Sequence, residues 1–365
     1  MRVLFIGKRR YTNRDALRER YGRIYQLPWH WARAGASVQL WLIDYHSRVY
    51  EALIDGDLQV QSTPIRGLRW IAVGMSVAYS RIREHAPTHI VASGDPYIGF
   101  LAWVIAKLVG AVFVFDVYDK YDVFAGYHKP LGWDLFGFLL NHADRCWFAS
   151  QRLLEQVGSA QRVDRVIPNG LDAQHFKPHD MLEARQRFRL AARGTFVGYF
   201  GSMEADRGIN DLVDAIRILR GQGVPVELIL AGRATDNFEL DQAGFRYLGN
   251  LPYQEVPWAL AAVDVVAVPY RRSVFLDAAS SIKFGEIMAC ARPFVASRSP
   301  NFLANFPAQA AQLGPYLVDT GNPAALARAI AEQLQHKLIV EMPDGLDWSS
   351  IAMNAWADLS GIQQG

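Results

Sequence analysis

The sequence has few cysteines, little net charge and no unbroken apolar run of transmembrane length. Its 365 residues include two cysteines, Cys146 and Cys290, which lie far apart in apolar segments. This spacing argues against a disulfide framework or a zinc site. The formal net charge is +2 and hydrophobic residues make up 51% of the chain, which excludes a disordered polyelectrolyte. We therefore expect a soluble globular protein with room for two domains.

One apolar stretch, residues 98–115, needs separate attention because it approaches the length of a membrane span. A spanning helix needs about 20 uninterrupted apolar residues, but Lys107 and Gly110 interrupt this stretch. It predicts a buried helix followed by a buried parallel strand. The apolar run at residues 3–7 is too short for a signal peptide, and we therefore expect a cytoplasmic location.

Short apolar segments alternate with helical patterns along the chain. This alternation predicts parallel sheets joined by right-handed crossovers. The pattern runs to about residue 167, passes a charged segment at 177–193 and restarts at residue 195. The predicted fold class is therefore α/β, with two doubly wound, Rossmann-like domains. The predicted strands lie at residues 3–6, 37–43, 58–62, 88–92, 111–115, 145–149, 165–167, 195–200, 226–231, 265–268 and 294–297.

The segment around residue 283 has the side chains that a phosphorylated, hydroxyl-rich ligand needs. Residues 280–290 predict a short helix, and Ser281 lies where backbone N–H groups are free. Lys283 and Glu286 are three residues apart and therefore share a helix face. The cation suits a phosphate and the carboxylate suits sugar hydroxyls. The alternative is an exposed ion pair on a helix.

Loops at strand ends in the second half add further candidates. Gly201 lacks a side chain, so a phosphate can approach the backbone, and Arg207 offers a planar guanidinium. Gly232 and Arg233 repeat this combination after the next strand. Singly, each is more simply a turn former or a solvated charge, but together at one sheet edge they predict a ligand site. The residues that precede a helix and suit a flat base are Leu251 and Tyr253.

Several segments resemble motifs of one enzyme family. Residues 166–172 (VIPNGLD) are similar to a signature before the interdomain crossing, and residues 199–209 (YFGSMEADRGI) resemble a donor-phosphate loop. Residues 281–297 resemble a nucleotide-sugar helix and its strand. On these motifs the chain resembles a retaining glycosyltransferase of the GT-B, family 4 type over nearly its whole length. The final helix, after residue 347, resembles the family's tail that packs back on the first domain.

The resemblance implies a domain arrangement and a reaction. It implies an acceptor-binding domain at residues 1–178 plus 349–365, and a nucleotide-sugar-binding domain at 195–348, facing a cleft. The donor is a UDP- or GDP-sugar, and the diphosphate leaves with retention at the anomeric carbon. We expect no metal, because no Asp-x-Asp motif ends a strand in the second half. The expected catalytic residues are Arg207, Lys283, Glu286 and Asp119. The expected donor-binding residues are Gly201, Ser202, Gly232, Arg233, Leu251, Tyr253, Ser281 and Ile287.

The chain also departs from the family pattern. Ala278 stands where many members carry a glutamate, and Ser202 stands where an arginine is common. Tyr118 replaces a histidine that lies near the donor sugar, and Asp119 is our substitute for that contact. In family terms Glu286 holds the nucleotide ribose. The departures predict unusual substrates, and they keep open a catalytically silent partner subunit; a sugar-nucleotide epimerase is a further alternative.

The amino-terminal 33 residues carry nine Lys or Arg residues against Asp15 and Glu19, together with Trp29 and Trp31. Such a surface suits an anionic membrane, where lipid-linked acceptors reside. The alternative is a solvated arginine face with the tryptophans in the core. No nucleic-acid recognition motif is present. We expect a glycan or lipid-linked acceptor, in bacterial surface polysaccharide or glycoconjugate synthesis, at the inner face of the membrane.

Overall fold

The computed structural model describes residues 1–11, 14–65, 76–77, 79–80, 82–123, 127–129, 132–235 and 245–362. The chain forms two compact units. The first consists of Met1–Gly170, Ala278–Ser280 and Gly345–Gly365, and the second of Leu171–Asp277 and Ser281–Asp344. The short segment at 278–280 in the first unit was not foreseen. Most of the helix predicted at residues 67–85 lies outside the described residues, and the domain boundaries drawn from the sequence stay a prediction.

The first unit is built on an eight-stranded sheet. In spatial order the strands run β10-β9-β8-β7-β1-β4-β6-β5, and every pair is parallel except β5 with β6. A separate antiparallel pair, β2 with β3, follows β1. The strands are β1 (Arg2–Lys8), β2 (Arg10–Tyr11), β3 (Arg14–Asp15), β4 (Ser37–Asp44), β5 (Glu51–Asp55), β6 (Leu58–Pro64), β7 (His89–Ser93), β8 (Val112–Val117), β9 (Arg145–Phe148) and β10 (Arg165–Val166).

The central strands of this sheet are buried on both faces, because helices cover them on either side. Phe5 of β1 lies between Leu40 of β4 and Val91 of β7, and all three are at most 1% exposed. This burial explains why the strands appear in the sequence as continuous apolar runs. In this part of the chain, the helices whose bounds the described residues give are α1 (Ala16–Glu19), α2 (Arg23–Arg33), α3 (Pro96–Val109), α4 (Leu135–His142) and α5 (Gln151–Val157).

Helix α3 and strand β8 account for the apolar stretch at 98–115. Asp95 caps the helix by accepting a hydrogen bond from the Ile98 N–H at 3.2 Å, and Gly110 ends the helix in a left-handed conformation. The predicted division into a helix and a buried strand is confirmed. Among the described residues, none of the helices combines the length and the apolarity that crossing a membrane requires.

The second unit contains a six-stranded, wholly parallel sheet in the order β13-β12-β11-β14-β15-β16. Its strands are β11 (Thr195–Phe200), β12 (Val226–Ala231), β13 (Phe245–Tyr247), β14 (Val265–Val268), β15 (Phe294–Ser297) and β16 (Leu317–Val318). The next helices are α6 (Met181–Arg187), α7 (Ile209–Gly221), α8 (Val256–Ala262), α9 (Val274–Ala278), α10 (Lys283–Ala289), α11 (Pro300–Asn305), α12 (Pro307–Leu313) and α13 (Pro323–His336). The predicted α/β fold class with two parallel sheets is confirmed.

The last helix, α14 (Trp348–Ser360), belongs to the first unit although it follows the second unit in the chain. Two buried indoles bind it. The Trp31 Nε1–H donates to the Ala352 carbonyl at 2.7 Å, and the Trp147 Nε1–H donates to the Asp358 carboxylate at 2.8 Å. The prediction that this helix packs back on the first domain is confirmed.

Five short strands in the described part of the chain were not predicted from the sequence, among them β2 and β3, which have two residues each. Strand β5 lies at the sheet edge with Leu53 and Ile54 exposed, so it lacks the buried alternation that marks a half-buried strand. The Asp55–Gly56–Asp57 segment that joins it to β6 is a recognisable hairpin signal. Strands β13 and β16 have three and two residues, too short to show a period.

Candidate functional site

Two glycines in the second unit lie against each other at the carboxyl ends of β11 and β12. A Cβ built on Gly232 would lie 2.1 Å from the Gly201 carbonyl oxygen. The Gly201 N–H donates to the Ala231 carbonyl at 2.8 Å, and the Gly232 N–H donates to the Gly249 carbonyl at 2.9 Å. Since side chains have no room there, this sheet edge presents bare backbone, as the sequence predicted.

Lys283 brings an ammonium group to this edge. It is the first residue of α10, and its Nζ donates a hydrogen bond to the carbonyl of Phe200. The same Nζ lies 5.3 Å from the centre of the Tyr199 ring, a cation–π contact. A Cβ on Gly201 would approach this Nζ to 2.2 Å. Gly201 and Lys283, both expected to bind the donor, therefore lie close together within this unit.

The helix start differs from the prediction. We expected Ser281 to lie where the helix begins, whereas α10 begins at Lys283 and its N-cap is Ile282, which makes no side-chain capping bond. A role of Ser281 in donor binding stays a prediction. Ile287 is fully buried, so its side chain packs in the core and only its backbone remains for ligand contact. Glu286 is partly exposed, one helical turn after Lys283.

Arg207 supplies a second cation from a short 3-10 helix, Ala205–Arg207. Its guanidinium lies 5.4 Å from the Tyr270 ring and 5.9 Å from the Phe275 ring. The side chain is 19% exposed, and its buried Nε makes no hydrogen bond within the described structure. Burial by itself lowers the pKa of Arg207, but the nearby Tyr270 and Asp206 raise it above its usual value, so the group stays charged.

Gly208 fixes the course of the chain just after Arg207. Its φ is +69°, and a Cβ there would lie 1.8 Å from the carbonyl oxygen of Pro269. Only glycine fits both the left-handed conformation and this close approach. The Arg-Gly pair in the sequence therefore has a structural cause as well as a chemical one.

Arg233 and Arg207 share a carboxylate that sequence reasoning missed. Arg233 Nη2 donates to Glu204, and Arg207 Nε lies 3.6 Å from the other oxygen of the same carboxylate. The loops are joined by a backbone hydrogen bond of 2.9 Å from the Met203 N–H to the Arg233 carbonyl. The acids Glu204 and Asp206 beside Arg207 were visible in the sequence of this strand-end loop, but their partners were not.

Two tyrosine hydroxyls donate hydrogen bonds to carbonyl groups of these loops. The Tyr199 hydroxyl donates to the Ser202 carbonyl at 2.5 Å, and the Tyr247 hydroxyl donates to the Gly232 carbonyl at 2.7 Å. Burial raises the pKa of Tyr199 well above its usual value, so this donor keeps its proton. The site is therefore held by groups outside its predicted residues.

Tyr253 is engaged by its own chain. Its ring stacks on His175 with 4.4 Å between ring centres and 22° between planes, and its carbonyl lies 3.0 Å from His175 Nε2. Phe176 contacts the same ring edge-on at 5.5 Å. One face of the tyrosine is thus covered by a packing partner that the sequence did not indicate. Leu251 is partly exposed, and a role for either residue at a nucleotide base stays a prediction.

Asp119, in the first unit, is a buried carboxyl group surrounded by tyrosines. It is 6% exposed and accepts a hydrogen bond from the Tyr11 hydroxyl. Tyr118 packs edge-on against Tyr11 at 4.7 Å and against Tyr121 at 5.6 Å. Burial raises the pKa of Asp119 to about 7, against the lowering effects of the Tyr11 hydrogen bond and the charge of Arg23. Asp119 can therefore exchange a proton near neutral pH.

A second buried network lies in the same unit. Arg23 binds Asp116 through two hydrogen bonds, of 2.9 and 2.6 Å, and Ser93 Oγ donates to the same carboxylate at 2.6 Å. Arg23 also donates to the Asn169 side chain at 3.2 Å, and the amide of Asn169 donates to the Ser280 carbonyl at 3.4 Å. The asparagine of the 166–172 signature therefore contacts the segment at 278–280 that the first unit contains.

The arginine-rich amino terminus is largely neutralised by carboxylates. Trp31 is fully buried, and Trp29 is partly buried beneath Arg33 at 4.5 Å. The alternative of a solvated arginine face with the tryptophans in the core holds for Trp31, but most of these cations are paired with carboxylates, and an anionic membrane surface as partner stays a prediction. Within the described residues, seven of the nine cations form ion pairs: Lys8 with Asp95; Arg9 with Asp15, Asp44 and Glu51; Arg10 with Asp15; Arg14 with Glu19; Arg18 with Glu51; Arg20 with Asp55; and Arg23 with Asp116.

Metal-ligating side chains do not cluster in the part of the chain that the structure describes. No group of three or more His, Cys, Asp or Glu side chains there lies close enough together to hold a metal ion. Independence from metal stays a prediction.

Comparison with known proteins finds a family-model match within the second unit and solved structures of similar fold for the chain. Residues 194–336 match the family model described as glycosyl transferases group 1. The chain is similar to 2-deoxystreptamine glucosyltransferase from Streptomyces kanamyceticus, with 25% identity over 239 residues. This match spans 58% of the chain and 62% of the length of that relative, which is less than two thirds.

Two solved structures cover almost the whole chain. Sucrose-phosphate synthase from Thermosynechococcus elongatus has a TM-score of 0.73 and 17% identity, covering 99% of this chain and 98% of that one. Alr3699/HepE from Anabaena, solved with UDP, has a TM-score of 0.66 and 18% identity, covering 99% and 95%. At these identities the likeness shows the fold, and the predicted GT-B architecture is confirmed. The finer assignment to family 4 stays a prediction.

Proposed function

We propose that this chain, whose residues 194–336 form a group 1 glycosyltransferase domain, transfers a sugar from a nucleotide diphosphate sugar to an acceptor hydroxyl. The transfer retains the configuration of the anomeric carbon. One observation carries the proposal. Lys283 and Arg207 bring two cations to the strand ends that Gly201 and Gly232 leave without side chains, and two cations are what a leaving diphosphate requires.

The reaction separates charge between the sugar and the diphosphate. As the glycosidic bond to the diphosphate breaks, negative charge grows on the leaving oxygen and positive charge grows on the sugar ring. Lys283 and Arg207 stabilise the diphosphate, and both are already held by aromatic contacts, so little reorganisation is needed. Arg233 adds a third cation at the rim. A donor phosphate oxygen accepts the proton of the acceptor hydroxyl.

Two carboxyl groups have proposed roles toward the sugar and the ribose. Glu286, on the helix that begins with Lys283, binds the ribose hydroxyls as a hydrogen-bond acceptor. Asp119 takes the place of the histidine that Tyr118 replaces, and contacts the donor sugar. With its pKa near 7, Asp119 can donate as well as accept a hydrogen bond to a sugar hydroxyl.

UDP-sugars are the first donors to test, ahead of GDP-sugars. The support comes from the solved structures to which the chain is similar, of which Alr3699/HepE was obtained with UDP and with UDP-glucose. The acceptor is a glycan or a lipid-linked sugar, in bacterial surface polysaccharide or glycoconjugate synthesis. The curated relative is named for a small aminocyclitol acceptor, so 2-deoxystreptamine belongs in the acceptor panel. The proposed location is cytoplasmic, peripheral to the inner face of the membrane.

The test has a binding step and a transfer step. Calorimetry against UDP, GDP and ADP, with and without Mg²⁺, identifies the nucleotide, and thermal melting confirms it by mass action. The matching nucleotide sugar is then offered with the acceptor panel, and the anomeric configuration of the product is read from its proton coupling in NMR. A product with retained configuration supports the proposal, whereas an inverted product or no nucleotide binding contradicts it.

A catalytically silent partner subunit is the second candidate, and one observation favours it. Ala278 is buried and without a carboxylate, while the neighbouring Asp277 is tied to Arg272 by an ion pair of 2.7 Å. The glutamate that many family members carry there therefore has no available substitute in this stretch. Nucleotide binding without turnover on any acceptor would support this candidate. An epimerase would instead convert the nucleotide sugar alone, which the same NMR experiment detects.

A further inference from the structure

We propose that Glu204 is a built-in counter-ion of the diphosphate site. It pairs with Arg207 and Arg233 while no ligand is bound, and it lowers the affinity of the site for nucleoside diphosphates. This inference rests on the proposed function. It concerns how tightly the site retains donor and product, and it assigns a role to Glu204, which lies in the 199–209 segment but was not among its expected site residues.

The geometry places one carboxylate between two cations. Glu204 accepts a hydrogen bond from Arg233, and its second oxygen lies 3.6 Å from Arg207 Nε. At that distance the two groups form an ion pair but no hydrogen bond. The buried Nε makes no hydrogen bond elsewhere in the described structure. The two guanidinium groups are thus held near one anion, with hydrogen-bonding capacity left on Arg207.

The two arginines differ in how firmly they are held. Arg207 is 19% exposed and packs on the rings of Tyr270 and Phe275, whereas Arg233 is 59% exposed. Glu204 is 38% exposed, so its side chain can turn outward without opening the core. An incoming diphosphate therefore meets a fixed guanidinium at Arg207. It must also displace the movable carboxylate of Glu204, which has the same sign of charge.

Asp206 is the other acid beside Arg207, but its contacts fix it in place. Ser273 Oγ donates to the Asp206 carboxylate at 3.0 Å, and the Arg271 N–H donates to the Asp206 carbonyl at 2.9 Å. Glu204, by contrast, has its described side-chain contacts with Arg207 and Arg233 only. Of these two acids, Glu204 is therefore the one whose role changes when an anion arrives.

The serine at residue 202, where an arginine is common in the family that the sequence resembles, makes the charge balance at this site depend on other residues. Ser202 has no charge, so the site relies on Arg233 from the neighbouring loop, whose carbonyl binds the Met203 N–H. A negative charge within the reach of both arginines offsets part of their attraction for a diphosphate. The product nucleotide then leaves more readily.

The experiment measures UDP and uridine binding by calorimetry in the wild-type protein and in Glu204→Gln; GDP or ADP replaces UDP if the screen identifies it. We expect about tenfold tighter UDP binding in the variant, with uridine unchanged, because only the diphosphate senses the lost charge. The salt dependence of UDP binding should also become steeper. Asp214→Asn is the matched control, since it removes a carboxylate paired with Arg217 on α7, and it should leave UDP affinity unchanged.

A double-mutant cycle tests the link to Arg233. The gain from Glu204→Gln should shrink at least threefold when Arg233→Gln is also present, because the pair is then already broken. Unchanged or weaker UDP binding in both Glu204→Gln and Glu204→Ala would overturn the inference while leaving the proposed function intact. If none of UDP, GDP and ADP binds the wild-type protein, the proposed function fails and the inference fails with it.

Discussion

Lys283 and Gly201 are matched to each other: the ammonium group of Lys283 lies where a Cβ on residue 201 would have to be. The separation from that Cβ position would be 2.2 Å, far below any van der Waals contact. The lysine is held there by the Phe200 carbonyl and by the face of Tyr199. Glycine at position 201 is therefore needed to place the ammonium group of Lys283 at the strand end. A substitution at residue 201 thus tests the position of Lys283.

Replacing Gly201 with alanine should displace the Lys283 ammonium group. We expect about a 10- to 100-fold loss in affinity for the nucleoside diphosphate, with a smaller change for the bare nucleoside, because the phosphate contacts are the ones that move. Calorimetry with both ligands measures the difference. Gly221→Ala is the control, since a Cβ there meets nothing within 4 Å. Equal losses for nucleotide and nucleoside would contradict this placement of the cation.

Lys283→Ala should abolish transfer and leave the fold intact. The variant loses a cation that stabilises the leaving diphosphate, and we expect kcat to fall at least about 100-fold. The side chain is only partly buried, so the melting temperature should change little. Lys129→Ala, which removes an exposed cation paired with Asp134, should retain full turnover. Near-native kcat for Lys283→Ala would remove Lys283 from the site.

Glu286→Gln tests the proposed ribose contact. The substitution preserves the shape of the side chain but removes its charge, and an amide is a weaker acceptor for a pair of hydroxyls. We expect about a tenfold or greater loss of kcat/KM with the ribonucleotide donor. The loss should be smaller with a donor that lacks the ribose 2′-hydroxyl, since half the contact is then already absent. The same loss with both donors would contradict a role at the ribose.

The strands and helices that position this site follow from local sequence features, because buried parallel strands are continuous apolar runs and their ends carry glycine. The pairs within the site do not. Glu204 lies four residues after a strand end, in a charged loop. Nothing in the local sequence indicates whether its carboxylate is solvated or paired with Arg207 and Arg233. The segment at 278–280 joins the first unit through Ser150, whose hydroxyl donates to the Ala278 carbonyl at 2.6 Å, 128 residues away in sequence.

The pH dependence of stability should reveal Asp119. Its pKa is raised from 3.8 to about 7 in the folded protein, so the folded state holds a proton that the unfolded state releases. Stability is therefore highest below about pH 4 with respect to this group and falls as the pH rises towards 7, by about 4 kcal/mol in total. Denaturant unfolding at several pH values should show this slope in the wild type and its loss in Asp119→Asn. An unchanged slope in the variant would mean that Asp119 is ionised in the folded protein.

The packing of the last helix is open to a direct test at Trp31. Its indole N–H donates to the Ala352 carbonyl, and its ring lies 5.6 Å from the ring of Trp356, with no exposed surface. Trp31→Phe removes the indole hydrogen bond to the Ala352 carbonyl and leaves a smaller ring in the same space, so we expect a loss of about 2–4 kcal/mol in unfolding free energy. Urea denaturation measures it, with Trp29→Phe as the control, because Trp29 is only partly buried and covered by Arg33. A comparable loss in both variants would mean that the contacts of Trp31 with α14 stabilise the fold no more than the packing of a partly exposed tryptophan does.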